Sequence, residues 1–186
     1  MRHLFTAAGL AGLLLATTAL ASPHDEVTRA VGKLASASSY VIHIDAPQAG
    51  TGGRIEMQYV APDRYRMMLP GAPAQTIIGN QAYMEMAGRV MRVPLPAGTL
   101  DRMRDQAHIR ETQENARIEA AGSDVIDGAP ASKYRIIHPD QPGTEVMLWV
   151  NGEGWPLQMQ VDGGEGSATM RYSRFNDASL VIQPPN

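Results

Sequence analysis

Cysteine is absent from the 186-residue sequence. That excludes disulfides, thiolate nucleophiles, cysteine-held metals and lipid attachment through a cysteine. A dominant charge sign is also missing. The 16 Lys and Arg and 19 Asp and Glu are scattered, with no basic stripe, which argues against a nucleic-acid partner. Catalytic signatures are lacking too: there is no Gly-x-Ser-x-Gly elbow and no His-Glu-x-x-His. His43-Ile44-Asp45 and His138-Pro139-Asp140 each supply two potential ligands, and two groups do not make a metal site. Asp101, Asp105, Glu111 and Glu114 read as a solvated face. No catalytic residue, metal or cofactor is therefore expected.

Phe is scarce, at 2 residues, whereas Met reaches 11. Met fills irregular apolar space and is overused at surfaces that accept varied apolar partners. Long apolar runs are confined to one, Leu4 to Leu20, which follows Arg2 and His3 and closes in Ala19-Leu20-Ala21. That order of charge, apolar run and small-x-small cleavage pattern predicts a secretory signal peptide over residues 1–21. Residues 22–186 are then expected to be one exported domain without a lipid anchor.

Within that domain Ser22-Pro23 followed by His24-Asp25-Glu26 predicts a helix start, and Val27, Ala30, Val31 and Leu34 give it one apolar stripe. From Tyr40 the period changes to two. Tyr40, Ile42 and Ile44 alternate with Val41, His43 and Asp45. Ile55, Met57 and Tyr59 then run into the turn at Ala61-Pro62-Asp63, and Tyr65, Met67 and Leu69 leave it on the same dry face. Arg64 and Arg66 share the opposite face, where they could receive an anionic headgroup or a partner's carboxylate, although exposed strand arginines usually only keep an outer face soluble. Further strands are expected at 76–78, 81–86 and 90–93, then at 116–121, 122–127, 132–138, 144–150, 156–162, 167–175 and 180–182. Val146 to Val150 is apolar on both faces, as in a central strand. Between the two sheet halves, Gly98 to Arg110 has a narrow apolar stripe that includes Leu100 and Met103, which suits a short covering helix.

The fold class expected is mainly β with two or three helices: a curled antiparallel sheet of about eleven strands whose inner face needs a filling. Candidate lining residues follow from parity. They are Ile42, Ile44, Ile55, Met57, Tyr59, Tyr65, Met67, Leu148, Met159 and Met170 on the sheet, with Leu100 and Met103 on the cover.

Several segments together resemble the LolA-like superfamily over nearly the whole exported chain. They are the first helix, Tyr40 to Ile44, Tyr59 to Met67 with its Ala-Pro-Asp-Arg-Tyr, and Ile78-Gly79-Asn80 to Tyr83. Val90 to Pro94, Asp127-Gly128-Ala129-Pro130 with Tyr134, Leu148-Trp149-Val150, Trp155-Pro156-Leu157 and Pro184 complete the series. That superfamily includes periplasmic lipoprotein carriers, their receptors, mycobacterial lipid-binding lipoproteins and an anti-sigma-factor sensor domain. The resemblance implies an unclosed half-barrel with a helical lid over an apolar cavity for acyl chains. It also implies a monomer in the periplasm whose ligand is the acyl chain of a lipid or lipoprotein, with an envelope protein partner as the alternative. In the lipoprotein carriers an arginine used in cargo transfer precedes the turn proline, and an aromatic lies three residues beyond it. Tyr65 keeps the aromatic, but Ala61 stands at the arginine position.

Overall fold

The computed structural model describes residues 21–47, 54–86, 88–96, 98, 115–164 and 166–185. The expected signal peptide and covering helix, with Leu100 and Met103, lie outside the described residues. Helix α1 spans Pro23–Ala35. Ser22 caps it: the Asp25 N–H donates to Ser22 Oγ at 3.1 Å, and Ser22 Oγ donates to Asp25 Oδ2 at 2.8 Å. That bond holds the Asp25 carboxyl below the usual carboxylate range.

Eleven strands follow: β1 Ser39–Asp45, β2 Arg54–Val60, β3 Arg64–Met68, β4 Gln75–Ile78, β5 Gln81–Met86, β6 Arg89–Pro94, β7 Arg117–Ile126, β8 Ala129–Ile137, β9 Glu145–Asn151, β10 Pro156–Gly163 and β11 Gly166–Ser173. They form one antiparallel sheet in the order β6-β5-β4-β3-β2-β1-β11-β10-β9-β8-β7. Two meanders are thus joined where β1 pairs with β11, and β6 and β7 remain as edges. The result is an unclosed half-barrel. Local chemistry fixes the hairpins. Between β7 and β8 only Asp127 and Gly128 intervene, both at positive φ of 49° and 85°, the backbone that a tight two-residue turn demands.

Two expectations about elements are corrected. The segments 116–121 and 122–127 are one strand, β7, whose register shifts between Ala120 and Ser123. Gly122, at φ +93°, absorbs that irregularity within the strand rather than ending it. Residues 180–182 are not a strand. Leu180 and Ile182 are buried, but the Ile182 carbonyl is satisfied by the Arg64 side chain, whose Nη1 donates to it at 2.7 Å, and Pro184-Pro185 cannot extend a ladder.

The core has two parts. On the inner face α1 seats Val27 and Ala30 against Tyr134, Ile136, Leu148 and Val150. The helix is tied there by the Tyr134 hydroxyl donating to the Glu26 carboxylate. At its other end the Lys33 ammonium donates to the Glu153 carbonyl at 2.6 Å and sits 4.2 Å from the Trp155 ring centre. On the outer face Ile126, Ala131, Met147 and Trp149 form a second cluster, flanked by Leu157. Trp149 Nε1 donates to Asp124 Oδ2 at 3.2 Å, which satisfies the indole.

The segment after β11 also belongs to the outer side. The Asn176 carboxamide oxygen accepts from the Ser38 N–H at 2.8 Å, and the Asn176 N–H donates to the Ser39 carbonyl at 2.9 Å. Farther on, Val181, Gln183, Pro184 and Pro185 share a cleft with Arg66, Thr76 and Glu85 of the outer face. Arg64 therefore anchors this segment, in addition to any effect on solubility.

Candidate ligand-binding face

Cross-strand register places ten of the candidate residues on one side of the sheet. Met159 pairs with Leu148 and with Met170, Met170 with Ile44, and Ile44 with Ile55. A second row runs Ile42, Met57, Met67, and a third Tyr40, Tyr59, Tyr65. Because paired residues of neighbouring strands share a face, these rows form a continuous apolar surface. It is the face on which α1 sits, since Leu148 also pairs with Tyr134 of the helix seat.

Helix contacts divide the surface. Leu148 is buried beneath α1, and Met159 packs at the edge of that cluster. The contacts of α1 are chiefly with β7, β9 and β10. Over β1 to β6 and β11, no helix lies on the inner face among the described residues. There Ile42, Tyr59 and Tyr65 are buried, while Ile44, Ile55, Met57, Met67 and Met170 are half-buried. The tyrosine row is stacked, with ring centres 4.8 Å apart for Tyr40 and Tyr59 and 5.1 Å for Tyr59 and Tyr65. It gives one end of this face a stiff aromatic wall, while the methionines give the middle an adaptable one.

Three inner-face residues that parity could have supplied are absent from the sequence-based set. Tyr40 begins the aromatic row, Ile77 continues it beyond Tyr65, and Tyr172 pairs with Ile42. Burial pushes the Tyr172 phenol up to about 12.

The outer face offers different chemistry. A cleft of about 670 Å³ is bordered by His43, Asp45, Arg54, Asp127, Thr169 and Arg171. There Arg171 lies 3.3 Å from Asp127, and His43 lies 3.4 Å from Glu56 on the neighbouring strand. Among the described residues no three His, Asp or Glu groups converge as a metal site would require.

Among the described residues the molecule is thus an unclosed half-barrel with one helix on an apolar inner face. No family model matches the sequence, and no curated protein matches it. Among solved structures, the fold is similar to the Mycobacterium tuberculosis lipoprotein LppX, with a TM-score of 0.66 and 14% identity over 86% of this chain and 98% of LppX. LprF from Mycobacterium bovis gives a TM-score of 0.64 and 12% identity over 88% of this chain and 97% of LprF. The Pseudomonas aeruginosa MucA/MucB complex gives a TM-score of 0.51 and 16% identity, over 87% of this chain and 59% of the matched one. At these identities the likeness is one of fold. Among the described residues no helix is long and apolar enough to cross a membrane.

Proposed function

We propose that this chain is a periplasmic binding or carrier protein that holds the acyl chain of a lipid or lipoprotein against the inner face of the half-barrel. The observation that carries the reading is the run of Ile44, Ile55, Met57, Met67 and Met170, half-buried on the face that α1 leaves to β1 to β6 and β11. An acyl chain entering such a face gains about 0.8 kcal/mol for each methylene removed from water and needs no directional bonds. Methionines accept a chain of variable shape. The likeness to LppX, itself a lipoprotein, and the expected leader over residues 1–21 support the same reading.

A second reading, an envelope sensor that binds a protein regulator, is favoured by one observation. Edge strand β6 is exposed throughout, with Val90, Met91 and Val93 among the exposed large apolar residues. MucB, of similar fold, has been solved in complex with MucA(peri). Titration with a fluorescent fatty acid separates the two. Saturable enhancement that unlabelled palmitate displaces supports the acyl reading. Failure to take up the probe, with a regulator peptide bound instead, supports the sensor reading and overturns the first.

A further inference from the structure

Tyr172 is an inner-face polar group whose own chemistry is left nearly unused. Register sets it opposite Ile42, and its neighbour along the strand on that face, Met170, is set between Ile44 and Met159. Among the described residues the hydroxyl has one partner, the Met170 Sδ at 3.9 Å. A thioether is a weak acceptor, so a strong O–H donor is held in apolar surroundings nearly unpaired. A half-buried donor that faces sulfur gains little from that bond, and phenylalanine would fill the same space. The other inner-face tyrosines differ: Tyr59 Oη, for example, reaches the Pro62 carbonyl at 3.5 Å.

We infer that the Tyr172 hydroxyl is a binding group for the carbonyl oxygen of an acyl ester, so that this face selects O-acylated molecules over plain hydrocarbon. The inference rests on the acyl-binding reading above and narrows it. A fatty ester presents a strong acceptor at the head of its chain. Seated with the chain along the Met57, Met67 and Met170 surface, that acceptor would complete the phenol's hydrogen bond where the free protein has only sulfur. Raised by burial, the phenol stays protonated throughout the physiological range and remains a donor. Sites built around one buried donor reject analogues lacking the acceptor, because the donor is then left unpaired.

The test is displacement of prebound N-phenyl-1-naphthylamine by methyl decanoate and by dodecane, which has the same chain length without the carbonyl. The expected result is that wild-type protein binds the ester about tenfold more tightly than the alkane, as one recovered hydrogen bond allows. Tyr172→Phe is expected to erase that difference without lowering the melting temperature of the unliganded protein. Equal affinity of wild-type protein for both probes overturns the inference while leaving the acyl-binding reading intact. Binding of neither probe overturns that reading, and the inference with it. An ester preference that survives in Tyr172→Phe assigns the recognition to another residue and overturns the role of Tyr172.

Discussion

Two methionines on neighbouring strands separate the inner face from the outer one. Met57 lies between Ile42 and Met67 on the inner face, whereas Met68 faces outward opposite Glu56. Both are half-buried. Replacing each by glutamine keeps the length of the side chain and adds a neutral amide, so charge does not confuse the comparison. In Met57→Gln the amide has apolar cross-strand neighbours on both sides. When an acyl chain covers it, it loses water without gaining a partner, at about 1–3 kcal/mol. Affinity for a fluorescent fatty acid is expected to fall by about 5- to 150-fold. In Met68→Gln the amide remains able to reach water or the Glu56 carboxylate, and affinity should stay within about twofold, as for a tolerated surface change. Fluorescence titration of the two variants against wild type, with circular dichroism to verify folding, reads the difference. Equal losses at both positions, or a loss at Met68 alone, would refute the assignment of the binding surface to the inner face.

Two stability measurements test how the scaffold is built. Val27 is 0% exposed in the α1 seat, so Val27→Ala removes two buried methyl groups and leaves a cavity, at about 2 kcal/mol. The melting temperature should drop by about 4–8 °C for a domain of this size, and a drop below about 1 °C would show that the helix is not seated as described. The Asp177 carboxyl is held down to about 2 from 3.8, first by the hydroxyl of Ser179 and then by Arg174. A depressed carboxylate contributes stability above its unfolded value and loses it as pH falls through the folded one. Asp177→Asn should therefore melt below wild type at neutral pH, with the gap closing between about pH 4 and 2. A gap independent of pH over that window would contradict the assignment.

Much of this architecture is legible in the sequence because it is set by local rules. Ser22-Pro23 and the acids behind it specify the start of α1, and the alternation in Tyr40 to Ile44, Ile55 to Tyr59 and Tyr65 to Met67 specifies which side chains share a face. What local rules could not supply was non-local. Met147 and Trp149 identified a strand buried on both sides, but their outer-face partners Ile126, Ala131 and Leu157 come from three other parts of the chain. Leu180 and Ile182 have the alternation of a strand, yet the partner of this segment is the Arg64 guanidinium and not another ladder, which no periodicity reveals. Gly122 looked like a boundary because glycine usually punctuates, whereas here it lets β7 continue through an irregular register. At the candidate face, parity placed Tyr172 inward beside Met170. The weakness of its hydrogen bond became visible only once the surrounding side chains were in place.

The claim that the inner face carries an acyl chain is tested most directly by native mass spectrometry of the exported protein purified from the periplasm of a Gram-negative host, followed by lipid extraction of the same sample. The expected result is a population heavier than the bare polypeptide by the mass of one acylated molecule, with that molecule recovered in the extract. Uniformly bare protein that also fails to take up added fatty acid would contradict the claim.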